Sequence, residues 1–141
     1  MKKISISIII LSLSSPVFCQ VKTDIYCFRS TASISRDFEL RMYYDYGVKW
    51  EGGVVKYRGS KIPITLVLKE NEIEKLSDYA PYQQTRTWLE VYGGKIAGEY
   101  EMMSQGANIY SMTYTSSKNH KKTGFIFDPN ISSSPESGCQ W

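Results

Sequence analysis

Histidine occurs once in the chain, at His120, and cysteine at only three positions, Cys19, Cys27 and Cys139. A structural zinc site draws its four ligands mainly from these two residue types at close spacing, so no metal site can be assembled. The acidic residues have no calcium-loop spacing either, and no motif implies a cofactor. After the N-terminal segment no apolar run approaches the roughly 20 residues a membrane-spanning helix needs, so no membrane span is expected. An excess of one charge is also missing. The 17 Lys and Arg against 14 Asp and Glu give a formal +3, and two of the lysines stand at the extreme N-terminus. That balance leaves no electrostatic footprint for nucleic acid. Helical periodicity is absent after residue 20, which leaves an all-β chain.

The N-terminus carries Lys2 and Lys3, an apolar run from Ile4 to Leu13 broken only by serines, and then Ser14 to Cys19. These are the three parts of an export signal in their required order. Cleavage after Cys19 places Val17 and Cys19 at the two positions that the peptidase pocket requires to be small. Residues 1–19 are then a signal peptide and residues 20–141 a single domain of ordinary size. The rival, acylation of Cys19 as a lipoprotein, meets Phe18 where a small residue ordinarily precedes the acylated cysteine. Removing Cys19 leaves Cys27 and Cys139, which an oxidising compartment pairs. The expected location is therefore periplasmic or secreted. A disulfide closing a loop of this size removes about 4.7 kcal/mol of unfolded-chain entropy.

Alternation of apolar and polar residues, the period of a half-buried strand, recurs along the whole domain. Over residues 36–46, Phe38, Leu40, Met42, Tyr44 and Tyr46 face one side, with Glu39, Arg41 and Asp45 on the other. Residues 48–58 resemble a hairpin turning at Glu51-Gly52-Gly53. In residues 61–69, Ile62, Ile64, Leu66 and Leu68 point inward, and Pro63 marks a sheet edge. Residues 70–83 lose the period, and the spacing of Ile73 and Leu76 allows one brief helical turn.

Three further strands, 85–92, 95–103 and 107–115, are joined at Gly93-Gly94 and at Ser104-Gln105-Gly106 into a meander. Ile96, Tyr100 and Met102 share one face, as do Tyr110, Met112 and Tyr114. A last strand at 125–127 stops at Asp128-Pro129. The tail, 130–141, is irregular until Cys139 pins it, with Trp141 beside the bridge. About eight strands joined by tight turns predict a small antiparallel up-and-down β-barrel, or a β-sandwich, closed by one disulfide.

Candidate chemistry is sparse. His120 could serve as a base but lies in the loop Lys118-Asn119-His120-Lys121-Lys122, which suits a solvated tip. Glu90, Glu99 and Glu101 could converge on one face as acid and base, yet equally suit cross-strand charge pairs. No residue is assigned a catalytic role. Tyrosine is the unusual signal, with eleven in the chain. Tyr43, and Tyr92 together with Trp88, fall on the outward register and suggest a contact surface. The basic loop with Lys118, His120, Lys121 and Lys122 adds a second candidate contact.

At the level of architecture alone, the outline resembles small exported β-barrels such as lysozyme inhibitors and lipocalin-like binders, with no motif matched residue by residue. The leading expectation is a non-catalytic exported binding protein for a protein partner, an enzyme or toxin. The alternatives are a lipocalin-like carrier of a small apolar ligand and a secreted glycan- or peptide-acting enzyme built on Glu99, Glu101 or His120.

Overall fold

The computed structural model describes residues 21–33 and 36–141. The expected signal peptide lies outside the described residues. Ten strands follow in order: β1 Val21–Ser30, β2 Phe38–Asp45, β3 Trp50–Tyr57, β4 Ile64–Glu74, β5 Gln83–Tyr92, β6 Lys95–Gln105, β7 Asn108–Ser116, β8 Lys122–Phe127, β9 Ser133–Ser134 and β10 Gly138–Cys139. The first eight form a closed antiparallel barrel, each strand paired with the next and β8 returning to β1 through Phe28↔Phe127 and Ser30↔Phe125. This settles the barrel against the sandwich, and closure removes the sheet edges that an open meander would leave.

The interior is filled. Phe28, Phe38, Leu40, Met42, Val55, Leu66, Trp88, Tyr100, Met102, Met112 and Phe125 form one buried cluster. Phe38 is its hub, with ring centroids 5.1 Å from Phe28, 4.7 Å from Phe125 and 5.7 Å from both Tyr57 and Tyr100. The outer wall carries Glu39, Arg41, Lys56, Glu99 and Glu101. An apolar inside and a charged outside reverse the pattern of a lipid-facing barrel. Among the described residues no helix is long and apolar enough to cross a membrane.

Three bulges change which side chains point inward. Lys69, Ala97 and Tyr110 each stand as an extra residue without a partner in the ladder. A one-residue slip moves every following side chain to the other face. Ile96 therefore pairs with Val91 on the outer face and is exposed, and Ile109 takes the inward place expected of Tyr110. β4 continues past the bulge to Glu74, where a loop and a brief helical turn were expected, and residues 75–82 contain no helix. Ile62 lies ahead of β4 and is exposed.

The β2–β3 turn is also displaced from the glycine pair. It spans residues 46–49, where Asp45 Oδ1 accepts hydrogen bonds from the amides of Gly47 and Val48, and Lys49 adopts φ 54°. Gly52 and Gly53 lie inside β3 instead. The Gly93-Gly94 turn falls as expected, with φ of 57° and 74°, the signature of a two-residue hairpin.

The Cys27–Cys139 disulfide is formed, with Cα atoms 5.9 Å apart, which suits a non-reducing environment. It fastens the tail across the outer faces of β1 and β2. Glu39 is only 4 % exposed there. Its carboxylate accepts the Cys139 N–H at 2.8 Å and the Arg41 Nε–H at 2.8 Å, while Arg41 also donates to the Pro135 carbonyl. At the end of the tail, the Arg58 guanidinium stands 5.7 Å from the Trp141 ring centre.

Gly138 makes this close approach possible. It has φ 68°, and a Cβ there would run into Glu39 Oε2 and Arg41 Nη2. Gly138→Ala is expected to destabilise the protein by at least the left-handed backbone cost of about 1–2 kcal/mol. Urea unfolding measures the loss; an unchanged midpoint would mean that the tail can shift away from Glu39 without cost.

Candidate functional site

An up-and-down barrel has two ends with different loops. One, the mouth, gathers the start of β1, the β2–β3 turn, the β4–β5 loop and the β6–β7 turn. The other gathers residues 31–33 and 36–37, the β3–β4 link, Gly93-Gly94 and the β7–β8 turn.

The mouth holds a recess of about 220 Å³. Its walls come from β1 (Lys22, Asp24, Tyr26), β2 and its turn (Tyr44, Tyr46), β5 (Gln84, Arg86), β6 (Met102, Ser104), the Gly106-Ala107 turn and Ile109. Arg86 is carried into the interior because β5 turns Gln84, Arg86, Trp88 and Glu90 inward, with Trp88 opposite Tyr100 and Arg86 opposite Met102. Arg86 Nε lies 3.0 Å from Glu51 Oε1, a charge contact that lacks hydrogen-bond alignment. The guanidinium also stands 5.7 Å from the Tyr44 ring centre. Burial pushes the Glu51 carboxyl above its ordinary range, and Arg86 pulls it back only in part. Across the rim, Lys22 Nζ pairs with Asp24 at 3.2 Å, which raises the lysine's pKa. The Tyr44 hydroxyl donates to Met42 Sδ at 3.3 Å, and burial lifts it well above the usual tyrosine range.

Large apolar side chains at this end of the barrel face solvent. Tyr46 and Val48 project from the β2–β3 turn, Trp50 from the start of β3 with its ring over Gly52, and Ile73, Leu76, Tyr79 and Tyr82 from the β4–β5 loop and its flanks. Tyr110, displaced by its bulge, adds another from β7, and Tyr79 is 100 % exposed.

The contact residues expected from sequence lie elsewhere. Tyr92, 67 % exposed, and the exposed turn with Lys118, His120, Lys121 and Lys122 share the opposite end, where the Ser117 amide donates to the Ala97 carbonyl. Tyr43 is half-buried on the outer wall, beside Arg41, Val54, Lys56 and Pro63. Trp88, expected on the outward register, lies inward instead. It is 0 % exposed in the barrel core and offers nothing to a partner. Alternation along β5 misleads because Thr85, Thr87, Leu89 and Val91 form the more uniformly uncharged face, yet they point outward.

Nor do the three glutamates meet. Glu90 is buried inside, whereas Glu99 pairs with Lys69 at 2.8 Å on the outer wall and Glu101 is exposed there. Among the described residues no group of three His, Cys, Asp or Glu side chains is placed to hold a metal ion. The recess and its rim are the features that sequence reading missed. The signal for the rim was present, since turns are ordinarily polar and residues 46–50 and 73–82, the two turns with the strand ends beside them, carry seven large apolar residues. The chain matches no protein-family model, no curated protein sequence and no solved structure.

Proposed function

We propose that the protein is an exported, non-catalytic binding protein that seats a protein partner, an enzyme or toxin, on the barrel mouth. The observation that carries this reading is the exposed aromatic rim. Solvent-facing Tyr46, Val48, Leu76, Tyr79 and Tyr82 lie on the β2–β3 turn and the β4–β5 loop at one end of the barrel, with exposed Trp50 at the start of β3. Exposed Tyr and Trp clusters supply rigid, amphipathic contact area at low entropic cost. A charged recess at the same end adds orientation. The carrier alternative needs interior space that Phe28, Phe38, Trp88, Tyr100, Met102 and Met112 occupy. An apolar ligand would also meet charges at the mouth, from Lys22, Asp24 and Arg86.

The test separates the two ends. Cross-linking capture from an envelope or secreted fraction identifies a partner for the oxidised protein, whose affinity is then measured for variants. Tyr46→Ala and Tyr79→Ala are each expected to weaken binding by about 30-fold, the effect of losing one interface anchor. Tyr92→Ala and Lys121→Glu, at the opposite end, are expected to change it by less than about threefold. The reverse pattern would move the contact surface to the basic end, and turnover of a substrate without any captured partner would end the binding-protein reading.

A further inference from the structure

We infer that the mouth recess is a carboxylate pocket, in which an acidic side chain of the docked partner is held by the Arg86 guanidinium. This rests on the mouth-docking reading above and adds the chemistry that the partner must present.

Size limits the occupant first. A volume of about 220 Å³ is the share of roughly seven liquid waters. It falls below the roughly 300–1,000 Å³ of ordinary small-molecule sites and suits one inserted side chain.

The donors then select the charge. Arg86 has five N–H groups in a planar fork. Its Nε lies 3.0 Å from Glu51 Oε1 without hydrogen-bond alignment, so the contact leaves the fork's donors available. Its side chain is 15 % exposed and lines the recess. The Tyr44 ring beside the guanidinium and the Glu51 contact behind it restrict the fork's orientation. A preset fork with available donors matches a carboxylate in two parallel hydrogen bonds. Lys22 stands on the rim but is paired with Asp24, so the Arg86 fork carries the selection.

The opposite occupant is poorly served. Among the described residues a cationic side chain would have only Asp24 as a charged acceptor in the walls, already engaged by Lys22, and would sit against Arg86. Because Glu51 partly offsets the Arg86 charge from behind, selection rests on hydrogen-bond geometry more than on net potential. The pocket should therefore tell a carboxylate from its own amide.

Titration of the isotope-labelled oxidised protein with glutarate, glutaramide and glucuronate, followed by NMR, tests this. Glutarate is expected to shift the Arg86 Nε–H signal and the amides of Ser104 and Ile109, saturating in the millimolar range. Glutaramide is expected to leave them in place. Ala107→Phe, which fills the recess from an exposed turn, should weaken glutarate by at least about tenfold with an unchanged melting temperature. Arg86→Lys, which keeps the charge but removes the fork, should weaken it similarly.

Equal shifts with glutarate and glutaramide, or glutarate binding undiminished by Ala107→Phe, would overturn the pocket. Tighter binding of glucuronate than glutarate would reassign it to a sugar acid and overturn the side-chain reading. The two readings can also fail separately. A partner captured through the rim without any glutarate response removes the pocket alone. A specific glutarate response, with capture insensitive to Tyr46→Ala and Tyr79→Ala, removes the docking reading and leaves a carboxylate site.

Discussion

Protein lacking the Cys27–Cys139 bridge, by reduction or as the C27S/C139S variant, is expected to be less stable by about 2–5 kcal/mol. The bridge closes a loop spanning 112 positions, so its loss frees most of the unfolded chain to expand. The barrel itself should survive. Its closure through β1 and β8 is made within residues 21–127 and needs nothing from the tail. The tail is held otherwise by polar contacts that water can replace: the Cys139 amide on Glu39, Arg41 on the Pro135 carbonyl, and Arg58 beside Trp141. Reduction should therefore release residues 129–141 first. In hydrogen exchange, the Cys139 and Gln140 amides are expected to lose protection in the reduced protein while β5 and β6 keep theirs. Urea unfolding should give a lower midpoint and a steeper slope, since the uncrosslinked unfolded state exposes more surface. An unchanged midpoint would remove the bridge's stabilising role. Strand amides that exchange as fast as those of the tail would show instead that barrel closure depends on it.

The barrel was legible where one period ran unbroken. Alternation through β2 placed Phe38, Leu40, Met42 and Tyr44 on the inner face, and the Gly93-Gly94 pair marked a true hairpin. Cysteine parity pointed to the bridge that is formed. Legibility ended at the bulges. Lys69, Ala97 and Tyr110 look like ordinary strand residues, and nothing local announces that the ladder skips them. Each reverses inward and outward for the residues beyond, which is why Ile96 and Tyr110 came out on the wrong side.

A second obstacle was that the interior is not uniformly apolar. Arg86 and Glu90 flank Trp88 on the inner face of β5, so hydrophobicity chose the opposite face. Gly52 and Gly53 misled for another reason. They serve the wall, where a Cβ on Gly53 would crowd the Arg41 carbonyl, while the Asp45 side chain builds the turn five residues earlier. The recess could not be read as a motif at all. Lys22, Arg86 and Ser104 are far apart in sequence and meet only because β1, β5 and β6 belong to one closed cylinder.

The same burial of tyrosine predicts how the fold ends at high pH. The hydroxyls of Tyr100 and Tyr44 are raised above the ordinary tyrosine range chiefly by desolvation, and those of Tyr26, Tyr57 and Tyr114 move the same way. Tyr57 and Tyr100 also share a 2.6 Å hydrogen bond that needs at least one proton. An acid whose folded pKa is raised keeps its proton where the unfolded chain has released it. Stability is then intact below the unfolded value of about 10 and falls as pH rises beyond it. One unit higher, near pH 11, each fully protected tyrosine costs about 1.4 kcal/mol. Tyr100 and Tyr44 together give about 3 kcal/mol, and the three less buried rings add smaller amounts. The exposed Lys22–Asp24 and Lys69–Glu99 pairs change in the same direction with little weight. Against a total stability of about 5–15 kcal/mol, alkaline unfolding should be steep and cooperative. Tyrosinate absorbance from the buried rings is then expected to appear together with the loss of β circular dichroism. Tyr100→Phe should flatten the pH dependence by about one proton. If all tyrosines ionise gradually while the β signal persists, the core is open to hydroxide, and the filled interior on which the mouth-binding reading depends is wrong.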